Sequence, residues 1–328
     1  MPPVSAAPSL PTSTLSPAAD AAQPTFVRDL ATLAKPGITL SAVILAVVAF
    51  ALAGGARGDV ISLFVGSFIC AVGIALLVMA AGAFNMVLER DVDVRMTRTK
   101  DRPVAAGRMS AGTATAIGAL WAFLAMPPLA LMRPASAPPL ALALGLFSLF
   151  LYVLVYTPMK QRSMWALVVG AVPGAMPALI GGTLANGTVE AVGLGLFAVI
   201  FLWQLPHFLA ISLYREREYT DAGHKVSVQT FGVAGTKLLI VGTTFLSVAA
   251  SLGLVFTGVG GAVYGVLALA LGGWWCKSAL RAMPDLMRRK ATVRSDDDDW
   301  ARTVFRRSLV WQVGLLASLV IDRFLGIF

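Results

Sequence analysis

Asn85, Glu89 and Asp93 recur every four residues in Phe84-Asn-Met-Val-Leu-Glu-Arg-Asp-Val-Asp-Val-Arg-Met-Thr-Arg-Thr-Lys-Asp-Arg-Pro103, where the apolar segment 61–88 ends. Four residues advance a helix by about 6 Å and overshoot a full circle by about 40°, so one amide and two carboxylates line a single stripe. Asp91 faces away from it. Two carboxylates at this separation suit oxygen coordination of Mg²⁺, whose other positions usually go to water and substrate phosphate. The stripe therefore predicts a divalent-metal and diphosphate site. The plain alternative is a solvated charged loop after a membrane helix.

A second polar cluster occupies Leu213-Tyr-Arg-Glu-Arg-Glu-Tyr-Thr-Asp-Ala-Gly-His-Lys225, with Glu216, Glu218 and Asp221 interleaved with Arg215, Arg217 and Lys225. A metal–diphosphate complex needs both signs at close quarters, acids for the metal and basic side chains for phosphate oxygens. Arg95, Arg98, Lys100 and Arg102 supply the same cations after the first cluster, and Tyr156-Thr-Pro-Met-Lys160 adds a phenol and an ammonium. Any juxtamembrane loop inside a cell is basic, so each cation has a topological reading too. His207, in Leu202-Trp-Gln-Leu-Pro-His-Phe208, lies within an apolar segment, where an ionisable side chain is a functional candidate by default. Haem-iron ligation, proton handling and a packing role bonded to a neighbouring helix are all open to it. His224 is expected at the surface. Pro173, Gly174, Pro177, Gly181 and Gly182 either break a helix that lines a pocket or let it pack closely on a neighbour.

The elements that must position these residues are membrane helices. The chain has 328 residues, of which 57% are hydrophobic and 13% charged, against about 25% charged in a typical globular domain. Segments of crossing length lie at 38–53, 61–88, 111–130, 140–156, 165–184, 192–213, 238–257, 261–275 and 308–325, giving an all-α polytopic membrane protein of about nine helices. The net charge of +9 follows topology and is no nucleic-acid signal: of 26 Lys and Arg, only Arg57, Arg133 and Arg323 fall on one side, leaving 23 on the other. That asymmetry predicts the N-terminus and both polar clusters inside, and the C-terminus outside. Residues 1–27 read as a disordered tail rich in Pro, Ala and Ser, and 28–328 as one membrane domain. The tail matches neither a secretory signal nor a transit peptide, which points to a bacterial inner membrane. Two similar four-helix units with a ninth helix appended are expected from the matching places of the two clusters. The stretch with Arg288-Arg-Lys290 and residues 296–299 reads as a solvated, mobile linker, and Cys70 and Cys276 as inert buried thiols.

With these residues in hand, the chain resembles the UbiA-type intramembrane prenyltransferases, and within them the haem O synthase (protohaem IX farnesyltransferase) branch, over residues 28–326. Asn85, Glu89 and Asp93 stand in that branch's Asn-x-x-x-Glu-Arg-Asp-x-Asp-x-x-Met-x-Arg-Thr-x-x-Arg-Pro setting. Trp203-Gln-Leu-Pro-His-Phe208, Glu218-Tyr219 with Ala222-Gly223, Lys35-Pro36 and Tyr156-Thr157 agree as well. Two departures stand out: Glu218 where Asp is usual, and His224-Lys-Val-Ser-Val228 where the branch reads Ile-Pro-Met-Leu-Pro. The resemblance implies a UbiA-type bundle that adds a farnesyl group and water across a vinyl group of haem b, giving haem O and diphosphate for haem-copper oxidase biogenesis. It implies Mg²⁺ held by Asn85, Glu89, Asp93 and Glu218, with diphosphate held by Arg95, Arg98, Lys100, Arg102, Lys160 and Arg215. His207 and Tyr156 would contact haem. Farnesyl diphosphate, haem b and the lipid bilayer are the implied partners, with a haem A synthase or terminal-oxidase assembly proteins beside them. Rival readings are a relative acting on a quinone precursor or chlorin, against which the His207-Phe208 segment argues, and a transporter. A transporter usually needs charged groups near mid-membrane, whereas here the acids gather at one surface.

Overall fold

The computed structural model describes residues 25–54, 60–132, 138–287 and 294–326, and every regular element among them is helical. In order these are α1 (Phe26–Leu33), α2 (Pro36–Leu52), α3 (Val60–Leu88), α4 (Arg90–Asp93), α5 (Ala111–Leu131), α6 (Leu140–Phe150) and α7 (Thr157–Met159). There follow α8 (Ala166–Asn186), α9 (Ala191–Tyr214), α10 (Glu216–Asp221), α11 (Ser227–Phe256), α12 (Ala262–Leu280), α13 (Met283–Met287) and α14 (Arg294–Leu325). A π-helical turn, Leu151–Tyr156, joins α6 to α7 so that Leu140–Met159 runs as one span. Eight spans among the described residues are long and apolar enough to cross a membrane, and a ninth counts if α1 and α2, bent by 45°, are taken together. This is a multi-pass membrane protein. Phe64, Phe68, Phe123, Leu246 and Leu269 remain exposed on the outer faces, where lipid tails would meet them.

Residues 1–24 of the expected tail, and Arg57, Arg133 and Arg288-Arg-Lys290, lie outside the described residues. Phe26 and Val27, assigned to that tail, open α1 instead, because the Thr25 hydroxyl accepts from the Arg28 N–H and caps the helix.

Buried side chains form two main clusters. One joins α3, α5 and α6 to Ala46 and Phe50 of α2 and to Met176, Leu179 and Ile180 of α8. The other joins α9, α11, α12 and α14 to Leu45 and Ala49 of α2 and to Ala175 and Ala178 of α8. Neighbouring residues of α2 and α8 thus serve opposite halves. Fourteen of the 21 residues of α8 are buried, which makes it the central partition. The Pro and Gly positions in α8 do not interrupt it; they let it approach its neighbours. A Cβ on Gly181 would stand 2.1 Å from the Ala46 carbonyl oxygen, and one on Gly182 would stand 2.8 Å from Gly193 Cα. Backbone that close leaves room for hydrogen only.

Two boundaries differ from expectation. α11 starts at Ser227, eleven residues early, because Gly232 at φ 68° lets a first helical turn bend into the long helix. α14 starts at Arg294, so residues 296–299 are helix and not a mobile linker. Asp297 is buried there and pairs with Lys237 of α11, whose ammonium also lies over the Trp300 ring. Opposite charges on two helices satisfy each other, and acids in a first turn complement the helix dipole. Further along α14, Asp322 accepts from the Val263 and Tyr264 N–H groups and so satisfies the start of α12.

Candidate active site

Glu89 is the hinge of the site. α3 ends at Leu88 and Glu89 leaves helical geometry slightly, yet its N–H still bonds to Asn85 and Asp93 N–H bonds back to Glu89. The four-residue spacing therefore survives into α4. Asn85, Glu89 and Asp93 are 2%, 6% and 2% exposed, whereas the Asp91 side chain is 83% exposed, as its place off the stripe requires.

Each member of the stripe meets one cation from elsewhere. Lys35, held at φ 48° between α1 and α2, donates to Asn85 Oδ1 at 2.6 Å. Lys160 donates to Glu89 Oε1 at 2.6 Å, and Arg102 Nη1 reaches both Asp93 oxygens at 2.8 Å. Asn85 Nδ2 donates to the Thr157 hydroxyl, which itself donates to the Tyr152 carbonyl freed by the π turn. Burial alone would raise the Glu89 pKa, but the Lys160 ammonium reverses the effect and holds it below the ordinary value. For Lys160 burial works against the charge, and the Tyr156 hydroxyl and Glu89 outweigh it, so its pKa is raised. Both groups stay charged at neutral pH.

These residues line a cavity of about 220 Å³, together with Arg98, Tyr152, Tyr156 and, from the second cluster, Tyr219, His224, Lys225 and Ser227. Lys35, Tyr152, Tyr156 and Phe208 also line a second, more apolar cavity of about 380 Å³. That one runs between α2, α3, α8 and α9, past Leu45, Ile74, Leu77, Pro173, Pro177, Ile180 and His207. Gly170 makes room for the shared wall: a Cβ there would strike the Tyr156 ring at 2.4 Å. A charged head and an apolar body thus adjoin across two tyrosines, one phenylalanine and one lysine.

His207 is 8% exposed, its Nδ1 bonded to the Ser308 hydroxyl of α14 at 2.8 Å and its ring set against Trp203, Phe208 and Phe305. The bond fixes one ring nitrogen on a neighbouring helix, and the residue still borders the apolar cavity.

The structure does not bring every expected residue to this place. Glu218 bonds to Arg215 at 3.0 Å, and both line a separate surface pocket with Arg217, Arg294, Asp298 and Arg302. On α10, Tyr219 takes the place facing the acids, and its neighbour Glu218 is rotated about 100° away. Glu216 is taken by Arg294. Arg95 and Lys100 are exposed and line neither cavity. His224, expected at the surface, is 7% exposed and inside. Lys35, His224, Lys225 and Tyr152 were not among the expected site residues; Lys225 carried a signal as a cation of the second cluster, and Lys35 through the resemblance.

Two carboxylates and an amide do not make an all-protein cage, and no group of three or more acids, His or Cys among the described residues could hold a metal. The donor set still suits Mg²⁺, which is commonly held by one or two carboxylates with water and substrate phosphate completing the octahedron. Buried oxygen donors ringed by cations are built to take a metal and a polyanion together.

Comparison with known proteins identifies the family and the fold. The UbiA prenyltransferase family matches residues 42–295, and the chain belongs to it. It is a prenyltransferase. Among its relatives is the protoheme IX farnesyltransferase of Anaeromyxobacter dehalogenans, 40% identical over 91% of this chain and 95% of that protein. The protein of the same name from Sorangium cellulosum is 42% identical over 76% of this chain and 84% of that one. In fold, the chain is similar to digeranylgeranylglyceryl phosphate synthase, with a TM-score of 0.72 at 12% identity, covering 90% of this chain and 97% of the other. It is also similar to a UbiA homolog from Archaeoglobus fulgidus solved with GPP and Mg²⁺, with a TM-score of 0.58 at 11% identity, covering 86% and 99%.

Proposed function

We propose that this enzyme transfers the farnesyl group of farnesyl diphosphate to a vinyl group of haem b, with addition of water, giving haem O and diphosphate. The observation that carries the reading is the adjoining pair of cavities, a charged head of buried acids and cations that shares lining residues with an apolar body bordered by His207. The relatives' names supply the haem and the farnesyl group. Asn85, Glu89 and Asp93 would hold Mg²⁺, the ion bound in the Archaeoglobus structure. When bound, it supplies Lewis-acid neutralisation of the charge that develops on the leaving diphosphate.

The chain's own residues perform the rest. Lys160 and Arg102 balance Glu89 and Asp93 while Lys35 donates to the Asn85 amide oxygen, and on substrate binding these three side chains turn to phosphate oxygens. Arg98, exposed at the rim, adds a guanidinium. Loss of diphosphate leaves an allylic cation in the apolar cavity, where exclusion of bulk water preserves it until the vinyl carbon attacks; one admitted water then adds to the carbocation left beside the porphyrin and gives up a proton, forming the hydroxyl. The faces of Tyr152 and Tyr156, between head and body, stabilise that positive charge. His207 and Tyr156 are the haem contacts, with His207 oriented by Ser308. Arg95, Lys100 and Arg215 are left outside the site, as is Glu218. The polar loops face the cytoplasm of a bacterial inner membrane, where farnesyl diphosphate is made, and residues 28–328 act as one domain.

The test is made in cells. Haem extracted from cells that carry the gene should contain haem O, absent from matched cells that lack it, and the Glu89→Gln variant should behave as the gene's absence. Equal haem profiles with a membrane-inserted protein would refute the reading.

A further inference from the structure

We propose that His224 is a substrate-binding residue of the diphosphate site, whose Nδ1–H donates to a phosphate oxygen. The inference deepens the proposed function and rests on it for the identity of the diphosphate. The side chain is 7% exposed, and Nδ1 is enclosed without a hydrogen-bond partner among the described residues. A buried polar atom left unpaired is costly, and native sites keep one where something absent from the bare protein completes it. The Lys160 carbonyl accepts the Lys225 N–H at 2.9 Å and also lies close enough to the imidazole to favour its N–H form, yet it leaves Nδ1 unpaired.

The ring is placed for this purpose by the backbone and not by chance rotation. Gly223, at φ 88°, turns the chain out of α10, and the His224 N–H then bonds to the Tyr219 carbonyl at 2.9 Å. The imidazole packs edge-on to the Tyr219 ring, and both line the head cavity. Across that cavity stand Glu89 and Asp93, and around it Lys35, Arg98, Arg102, Lys160 and Lys225. Five cations against two carboxylates select an anion with several oxygens. A neutral imidazole beside them adds a directed donor without adding repulsion among the cations.

Three full-length proteins in detergent decide the matter: the wild type, His224→Phe, which keeps a ring edge-on to Tyr219 but removes both nitrogens, and His224→Asn, which returns a short N–H donor. Titrating Mg²⁺ with inorganic diphosphate should show affinity lowered about tenfold in His224→Phe and mostly restored in His224→Asn, the effect of one hydrogen bond to a charged oxygen. In turnover, the KM for farnesyl diphosphate should rise while kcat, haem affinity and Tm stay near wild type. Wild-type diphosphate affinity in His224→Phe overturns the proposal, and so does a parallel fall in haem affinity and Tm. If the wild type binds diphosphate but leaves haem unprenylated, the proposed function fails, and the diphosphate titration still decides the role of His224.

Discussion

At the residue scale, the site holds two buried acids, Glu89 matched by Lys160 from 71 residues away and Asp93 by Arg102 nine residues on. Asp93 is held by both oxygens to Arg102 and is 2% exposed, so Asp93→Asn leaves the guanidinium partly unmatched and takes away a metal oxygen. Turnover should fall by about a hundredfold or more, the scale of losing a charge-stabilising group in a closed site, with helicity unchanged by circular dichroism. Asp91→Asn, on an exposed side chain, should keep most activity. Full activity of purified Asp93→Asn at limiting Mg²⁺ would remove the metal assignment. His207→Ala should lower haem co-purification and haem O yield while diphosphate binding survives; unchanged haem absorbance and product in a folded variant would retire its haem role. The four-residue spacing made Asn85, Glu89 and Asp93 legible in the sequence, because a helix turns a period into a face. Lys35 and His224 were not legible, since what selects them is arrival from separate segments at one cavity. Glu218 misled for the converse reason: its charge and loop were right, but one residue of helix rotation gave the cavity to Tyr219.

At the element scale, α8 shows how composition can be read two ways. Its Pro and Gly residues suit either a broken, cavity-lining helix or a closely packed one, and the helix runs unbroken with the Ala46 carbonyl of α2 against Gly181 and Gly193 of α9 against Gly182. Gly181→Ala would drive a methyl to 2.1 Å from the Ala46 carbonyl oxygen, a contact with backbone that no side-chain rotation relieves. We expect a loss of about 1–3 kcal/mol, the cost of overpacking, seen as a lower Tm in detergent, and lost activity because α2 carries Lys35 at its start. Gly253→Ala in α11 meets nothing within 4 Å and should leave Tm unchanged or slightly raised. Equal Tm values for the two variants would contradict this account of the α2–α8 contact. The nine apolar segments were legible almost to the residue for α3 and α9, since lipid demands long apolar runs. The starts of α11 and α14 were hidden because their first turns are polar and stabilised by packing and by the Lys237–Asp297 pair, which hydropathy does not register.

At the scale of the whole molecule, two halves share the partition made by α2 and α8, and the charged head lies at one end of it. From the split of 23 to three basic residues we propose that this end faces the cytoplasm. A cysteine at exposed Lys100 should resist a membrane-impermeant thiol reagent in whole cells, and one at exposed Thr257, in the turn between α11 and α12, should react. The reverse pattern would place the acids away from the supply of farnesyl diphosphate. Most direct of all is the product itself. Purified protein in lipid, given haem b, farnesyl diphosphate and Mg²⁺, should convert the porphyrin to a species heavier by one farnesyl group and one hydroxyl group, with one diphosphate released per product, and chelation of the metal should stop it. Haem b recovered at its original mass, while a quinone precursor or a chlorin gains the prenyl group under the same conditions, would contradict the account.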